Sequence, residues 1–526
     1  MYSFSLFQRN YPQNLNKVAN IEICNIPPEI EHELINIGQW AIEIVKGTGY
    51  FPFYIAKDAS SRQSRSGAPI QILKKVQLQK LSRVSLFFGI LHLLGAFFVL
   101  YGFWIAYKTT ASVHSSLDTS SAKNSFSDEA DNFIMTFNTM AMLIVCALIR
   151  TIYVISSAKT LKFWKQHIYI LKGFYDLDIL CGNAHFDRAK SKVRRFLAGF
   201  MCITILQTAV MFAYVQHMYQ NKNNYGRWKH VYDDQYPLLA GGISICIVLF
   251  IHMHVGFFIW FGFLIQIYTT CFSAIGDAII AEIANNDNTM GTEMWEESRR
   301  ISWKDAVWNS AKLSNSGNHN HHKSVCASRN GAGERLQKLL LLFEEVCQLT
   351  EDFNQFYALP LTIDAFICIT NFFASVYAIN KMMYEYGMMY DSGGYSGSHH
   401  LWDKIVELLY RIPSHWAIAC RVVYLGLSGN SLTQEALKVI QLLQQVAPKC
   451  RWMLRNYALQ GQIQMLITRV SAKSPGISPG SYFTLNKAFL VSLLSVLATY
   501  FFILTEFREK NEGWNSIRKL NISCNA

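Results

Sequence analysis

The last apolar stretch of the chain, from Thr484 to Thr505, carries polar side chains at regular spacing. Intervals of three and four residues place these side chains on one face of a helix that is otherwise apolar. Hydroxyl groups and a carboxylate on such a face predict a water-filled path for cations, because a charged group inside a membrane is costly unless it faces water or a partner. The residues of this face are Ser492, Ser495, Thr499, Phe502 and Glu506.

The same spacing allows a second interpretation, in which the polar face joins packed helices. Serine and threonine commonly form hydrogen bonds between helices in membranes. The carboxylate of Glu506 favours the pore interpretation, since it needs water or a partner more than a hydroxyl does. Both interpretations stay open on the sequence alone.

The composition predicts that the chain as a whole is a membrane protein. Its 526 residues are 51% hydrophobic and only 16% charged, whereas a soluble chain carries about 25% charged residues. About 20 apolar residues in helical form cross the hydrocarbon of a bilayer, and only helices or closed barrels satisfy their backbone there. The predicted spans are Val84–Tyr107, Phe133–Ser156, Phe196–Met218, Ala240–Thr270, Ala358–Met383, the weaker Val406–Leu427, and Thr484–Thr505.

The weaker sixth span contains Glu407 and Arg411, four residues apart. These two side chains either pair on one helix face, which lowers the cost of both, or lie at the outer interface without pairing. The spacing does not decide between the two.

The orientation of the spans follows from the distribution of lysine and arginine. Basic loops alternate with acidic or neutral ones, so the N-terminus is predicted to be cytoplasmic and the C-terminus extracellular. Asn521 begins a glycosylation sequon in the predicted extracellular tail. The net charge of +12 is explained by the cytoplasmic loops and indicates attraction to anionic lipid, not binding to nucleic acid.

The predicted fold class is all-α: seven transmembrane helices, several of which extend into a cytoplasmic anchor bundle. Amphipathic stretches that prolong the spans indicate this bundle, and they could equally serve subunit association. The predicted regions are a cytoplasmic N-terminal segment (1–83), helices one to four (84–270), cytoplasmic extensions with a disordered insertion (271–357, insertion about 285–335), helices five and six (358–427), the anchor region (428–483), the pore-lining helix (484–507) and the extracellular tail (508–526).

A motif in the last span resembles the signature of insect gustatory receptors. Thr499 and Tyr500 are followed, after five mostly apolar residues, by Glu506 and Phe507, and Glu506 stands where that family usually has glutamine. The stretch Gly49-Tyr50-Phe51-Pro52 before the first span is also similar to the family.

This resemblance implies a subunit of a homo- or heterotetrameric, non-selective cation channel gated by a small molecule. The ligand would be a sugar, a bitter compound or carbon dioxide, and the protein would lie in the plasma membrane of chemosensory neurons. Four copies of Glu506 would form a cation-attracting ring at the outer mouth, and Phe502 an apolar constriction. The ligand would lie in the outer half of each subunit, where the aromatic residues are Tyr101, Trp104, Tyr214, Tyr236, Tyr377, Tyr410 and Trp416.

Other classes of membrane protein fit the sequence less well. A secondary transporter is the main alternative, but no inverted repeat or matching pair of broken helices is visible. A G-protein-coupled receptor would have the opposite orientation. We predict no enzymatic activity and no cofactor, because no histidine or carboxylate constellation with metal or nucleophile spacing appears within the spans. We predict no metal site, since the twelve cysteines are scattered without a CxxC pair.

Overall fold

The structure is a computed structural model of the chain. It describes residues 28–46, 53–58, 73–81, 83–114, 157–180, 184–220, 237–286, 331–363 and 398–503, together with isolated positions between and after these ranges.

Helices account for most of the part that the structure describes, as the apolar blocks and amphipathic stretches predict. The elements, numbered here in chain order, are α1 (Pro28–Lys46), β1 (Phe53–Asp58), β2 (Leu73–Leu81), α2 (Arg83–His114), α3 (Ser157–Asp176), α4 (Ala184–Gln220), α5 (Pro237–Asn286), α6 (Gly331–Phe356), α7 (Ser398–Val446), α8 (Arg451–Leu454), α9 (Tyr457–Ala472) and α10 (Lys487–Ile503).

A two-stranded antiparallel hairpin, β1 and β2, precedes the first apolar helix. Its register places Lys57 opposite Lys74 and Ala56 opposite Lys75. No strand was predicted here from the sequence, although Phe53, Tyr54 and Ile55 of β1 are residues that favour strands. Strand formation depends strongly on packing partners. Here α1 packs against β2, and Phe53 of β1 is buried.

Two helices are much longer than a membrane is thick. Helix α5 has 50 residues, or about 75 Å at the usual rise, and α7 has 49. Helix α5 contains the predicted fourth span together with its predicted extension. Helix α7 runs without interruption through the weak sixth block, including Pro413, and on into the predicted anchor region.

Two stretches of the described helices are long and apolar enough to cross a membrane, and they differ in burial. In the most apolar part of Val255–Ala284, 94% of the residues are buried within the chain, whereas in that of His185–Val210 only 18% are buried. Shorter apolar stretches are Arg83–Phe98 and Lys487–Ile503. The second half of α5 is therefore a core helix, while the apolar part of α4 faces outward.

We call the group of helices around the second half of α5 the anchor bundle. It consists of that half of α5 together with α1, α3, α6, α9 and the second half of α7, which share one continuous core of buried apolar side chains.

Aromatic residues fill the middle of the anchor bundle. Phe51 lies 4.9 Å from Trp164 and 5.5 Å from Trp260, measured between ring centroids. The indole of Trp260 donates a 2.8 Å hydrogen bond to the hydroxyl of Tyr357. Because Phe51, Trp260 and Tyr357 are each at most 2% exposed, the segment that precedes β1 is anchored in the core of the bundle.

A buried histidine joins α3 to α5. The Nδ1 of His167 lies 2.8 Å from the carbonyl oxygen of Phe163, and its Nε2 lies 2.8 Å from the hydroxyl of Tyr268. A neutral imidazole satisfies both contacts when it donates from Nδ1 and accepts at Nε2. Burial lowers the pKa of His167 to about 4, although the bond to the Phe163 carbonyl raises it in part.

Candidate pore helix and its anchorage

Helix α10 begins at a capped turn. The side-chain oxygen of Asn486 accepts a 2.9 Å hydrogen bond from the backbone N–H of Phe489. Asparagine is a preferred N-cap residue, because its oxygen satisfies an amide that the first turn leaves without a partner. The cap fixes the start of α10 three residues after the predicted boundary at Thr484.

The polar residues predicted to line a pore share one outward face of α10. Ser492, Ser495, Thr499, Phe502 and Glu506 are all exposed in the single chain, and Phe502 is 71% exposed. The hydroxyl of Ser495 donates to the carbonyl of Val491 at 3.0 Å, and that of Thr499 donates to the carbonyl of Ser495 at 2.9 Å. These two hydroxyls are thus satisfied within α10 and need no other helix as a partner.

The opposite side of α10 packs against the rest of the chain. Leu497 is 6% exposed, and the ring of Tyr500 lies 4.8 Å from that of Phe373 in a perpendicular arrangement. The motif residues are therefore divided between two roles, since Tyr500 packs inward while Thr499 and Glu506 are exposed. Phe507 lies outside the described residues.

Apolar residues that flank the polar face are exposed as well. Val491, Leu494 and Val496 are each more than half exposed. A surface that combines apolar flanks with hydroxyls and a carboxylate suits neither bulk water nor lipid alone. Both parts of this surface have favourable surroundings when the apolar flanks contact neighbouring helices or lipid and the polar strip contacts water.

Helix α7 holds the beginning of α10 by close approach at two glycines. A Cβ on Gly429 would lie 2.2 Å from the carbonyl oxygen of Leu485, and a Cβ on Gly426 would lie 2.7 Å from the side chain of Leu490. No side chain larger than hydrogen fits at Gly429 without moving the backbone. The two glycines therefore allow α7 and α10 to pack in direct contact.

The linker between α9 and α10 is clamped by Asn354 of α6. The amide of Asn354 donates to the carbonyl of Gly476 at 2.7 Å, and its oxygen accepts from the N–H of Ser478 at 2.8 Å. A further bond of 2.8 Å, from the N–H of Leu485 to the carbonyl of Ile477, closes the loop. The role of Asn354 could not be predicted from the sequence, because nothing local to α6 indicates a partner more than 120 residues away.

Charged residues attach α9 to α6 beside this clamp. The guanidinium of Arg469 lies 2.7 Å from the carboxylate of Glu344 and donates to the oxygen of Gln348 at 3.0 Å. Glu351 lies 3.8 Å from both Arg469 and Lys473. Each pair is partly exposed, so its contribution is small singly and matters as part of a network. These ion pairs were not predicted from the sequence either.

The structure describes two of the seven aromatic residues predicted to line a ligand pocket. Tyr101 and Trp104 stack on one another at 6.2 Å on α2 and are 42% and 56% exposed. They lie on the outer surface of the single chain, and their role in ligand binding stays a prediction. Tyr214, Tyr410 and Trp416 belong to α4 and α7, but their side chains lie outside the description, as do Tyr236 and Tyr377 entirely.

Other predicted features fall on residues that the structure does not describe. Asn521 lies outside the described residues, and so do the side chains of Glu407 and Arg411. Among the residues that are described, no three histidine, cysteine, aspartate or glutamate side chains come together as a metal site.

Comparison with known families identifies the class of protein. The family model described as 7tm chemosensory receptor matches residues 73–511, which is more than four fifths of the chain. The chain therefore belongs to the 7tm chemosensory receptor family, a family of membrane receptors and not of enzymes. This confirms the predicted class of protein and its helical, seven-span fold.

Solved structures similar to this chain include those of an insect olfactory receptor. The olfactory receptor OR5 from Machilis hrabei is 12% identical, with a TM-score of 0.49, over 90% of this chain and 99% of that one. The same receptor in complex with eugenol is 12% identical, with a TM-score of 0.47, over 90% of this chain and all of that one. A search of curated protein sequences finds no match.

Proposed function

We propose that this chain is a subunit of a tetrameric, ligand-gated cation channel with a gustatory role. The observation that carries the proposal is the division of α10 into a polar, exposed face and a packed apolar face. Four copies of α10 around an axis would turn the polar faces toward a shared aqueous path. The apolar flanks would then meet the neighbouring subunits.

The proposed path places residues of distinct chemistry along its length. Ser492, Ser495 and Thr499 present hydroxyl oxygens, which substitute for part of a cation's hydration shell. Four copies of Phe502 narrow the path with apolar rings, where dewetting stops conduction in the closed state. A ring of Glu506 carboxylates at the outer mouth concentrates cations and repels anions.

Gating requires that ligand binding favour one arrangement of α10 over another. A ligand shifts this equilibrium only by its difference in affinity for the two arrangements. The contacts that support such a shift are those of α7 with the start of α10, at Gly426 and Gly429, and the clamp of Asn354 on the preceding linker. A ligand that moves α7 or α6 relative to α5 would therefore act on the pore directly.

The proposed ligand is a small tastant or volatile: a sugar, a bitter compound or carbon dioxide. In this proposal the N-terminus is cytoplasmic, the anchor bundle lies in the cytoplasm and the outer end of α10 faces the extracellular side. The receptor acts in the plasma membrane of chemosensory neurons, as a homotetramer or together with related subunits.

The experiment that tests this function is electrical recording from cells that express the chain, alone and with candidate co-subunits. A panel of sugars, bitter alkaloids and dissolved carbon dioxide is applied to each combination. We expect at least one compound to evoke a cation current with unitary steps. Saturable uptake of a compound without unitary conductance would contradict the channel and favour a transporter.

A further inference from the structure

The first half of α4 presents a cluster of exposed basic side chains. Lys192, Arg194 and Arg195 are exposed and lie within about one helical turn. Among the residues that the structure describes, no carboxylate forms an ion pair with any of the three. The one acidic residue of α4, Asp187, lies more than a turn before Lys192. This turn of α4 is therefore a concentrated patch of positive charge on the surface of the chain.

The opposite face of α4 holds the basic patch in a fixed direction. Apolar residues recur there every three or four positions and pack into the core of the chain. Because this stripe is buried, the basic side chains on the other side of the helix point away from the core. The residues of the buried stripe, each at most 6% exposed, are Phe186, Ala189, Val193, Leu197 and Phe200.

The exposed face of α4 changes from charged to apolar along the helix. Leu206 lies eleven residues, or about three turns, after Arg195 and therefore on the same face. Leu206 is 59% exposed and the adjacent Ile205 is 63% exposed. Cations followed by exposed hydrocarbon side chains match the passage from the headgroups to the acyl chains of a bilayer.

The basic patch lies at the depth of the lipid headgroups in the proposed orientation. The third predicted span begins at Phe196, directly after Arg195, and Lys192 lies four residues, or about 6 Å, before it. The headgroup layer on each side of a bilayer is about 5–8 Å thick. The ring of Phe196 stacks on that of Tyr424 of α7, with the centroids 4.1 Å apart. The patch therefore lies next to a contact that joins α4 to α7.

We propose that this basic patch binds the headgroup of a phosphoinositide in the cytoplasmic leaflet. The inference rests on the membrane orientation given under the proposed function. Phosphatidylserine brings one net negative charge, whereas a phosphorylated inositol brings several, so a single phosphoinositide can neutralise three cations in one turn. Arg194 and Arg195 bind phosphate oxygens through their planar guanidinium groups, and Lys192 acts as a point charge. The acyl chains lie along the exposed apolar part of the same helix.

The test is lipid binding to the purified full-length protein in detergent, measured by native mass spectrometry. The probes are dioctanoyl phosphatidylinositol bisphosphate, dioctanoyl phosphatidylserine and soluble inositol trisphosphate, which has the headgroup without acyl chains. The variant is Lys192→Gln/Arg195→Gln. Its matched control, Lys449→Gln/Arg455→Gln, also removes one exposed lysine and one exposed arginine, but beyond the far end of α7. Melting temperatures check that the proteins are folded, and the comparison of probes on the wild type needs no variant.

We expect the wild type and the control to bind the phosphoinositide equally. The variant should bind it about thirtyfold more weakly, from the loss of two charges near the membrane surface. The wild type should bind phosphatidylserine and inositol trisphosphate about tenfold or more weakly than the phosphoinositide, because the first has fewer charges and the second has no acyl chains.

Three results would overturn the proposal. Equal binding of the phosphoinositide by the variant and its control would remove the basic patch from the site. Equal binding of phosphatidylserine by the wild type would show a surface that attracts any anionic lipid. Equal binding of inositol trisphosphate would assign the patch to a soluble phosphate ester and not to a lipid.

Because this measurement needs no current, its result is separate from that of the channel recordings. Selective lipid binding without ligand-evoked current would contradict the proposed channel and leave the lipid site intact. Ligand-evoked current without selective binding of the phosphoinositide would contradict the lipid site and leave the channel intact.

Discussion

A single carboxylate, Glu506, sets the ionic character of the proposed pore. Its type and position are visible in the sequence, because helical spacing joins it to Ser492, Ser495 and Thr499. The structure adds that all of these side chains are exposed in the single chain while Tyr500 packs inward. Spacing predicts which residues share a face, but only packing shows which face is left open.

Replacing Glu506 with glutamine tests the proposed ring of charge. Glutamine keeps the size and removes the charge, so the relative permeability to Ca²⁺ over Na⁺ should fall several-fold. Reversal potentials of the ligand-evoked current in the two salts measure this change. Glu33→Gln on α1 is the matched control. An equal fall in relative Ca²⁺ permeability in this control would contradict a pore position for Glu506, and so would an unchanged permeability in the Glu506 variant.

His167 makes the stability of the anchor bundle depend on pH. Its folded pKa of about 4 lies below the ordinary value of 6.5, so the unfolded chain binds more protons between these values. Stability is fully present above pH 6.5 and is lost as the pH falls toward 4. From pH 7 to pH 5 the loss is about 2 kcal/mol.

Thermal unfolding of the purified protein in detergent, followed by tryptophan fluorescence, measures this loss. His167→Gln keeps a donor and an acceptor but cannot be protonated, so its melting temperature should fall less between pH 7 and pH 5. Parallel pH dependences of the wild type and the variant would show that another group controls the acid sensitivity.

At the scale of elements, the apolar blocks and amphipathic stretches predicted most of the described helices. They did not predict the β1–β2 hairpin, because its formation depends on α1 and on burial of Phe53. Nor did they predict the clamp of Asn354, the hydrogen bond from the amide of Gln166 to Asp352 or the hydrogen bond between His167 and Tyr268. These contacts join residues about 100 or more positions apart, and local pattern carries no information about such pairs.

The clamp on the linker to α10 is tested by Asn354→Ala. The change removes two hydrogen bonds and leaves the backbone groups of Gly476 and Ser478 without those partners. We expect a loss of about 1–3 kcal/mol in stability and a shift in the ligand concentration for half-maximal current. Gln355→Ala, at the exposed neighbouring position, is the control. A lower melting temperature with unchanged gating would limit Asn354 to a structural role.

The anchorage of the segment before β1 is tested by Phe51→Ala. Phe51 is fully buried among Trp164 and Trp260, so its truncation should cost about 3–5 kcal/mol. A melting curve of the purified protein gives the change. The same substitution at Phe97 of α2, which is 64% exposed in the single chain, should have a much smaller effect. Similar losses at the two positions would contradict the packing described.

At the scale of the whole molecule, the chain joins a buried anchor to an outward-facing helix. The second half of α5 is enclosed by its own subunit, whereas α10 leaves most of its surface open. In the proposed tetramer, assembly around an axis would cover part of this exposed surface. The class of protein and its seven-span helical fold could be predicted from the sequence. The amount of surface that α10 leaves exposed could not, and the pore role of its polar face stays a prediction.

The central claim, that the polar face of α10 lines a cation path, is tested most directly by substituted-cysteine accessibility. Ser492, Ser495 and Thr499 are replaced singly by cysteine, and Leu497 and Tyr500 serve as controls on the packed side. A charged, membrane-impermeant thiol reagent is applied during cation currents, with the wild type as the reference for the native cysteines. We predict that the reagent blocks current at the three polar positions and leaves the two packed positions unchanged. Equal block of the current at the polar and the packed positions, or block only at Leu497 and Tyr500, would contradict the proposed cation path.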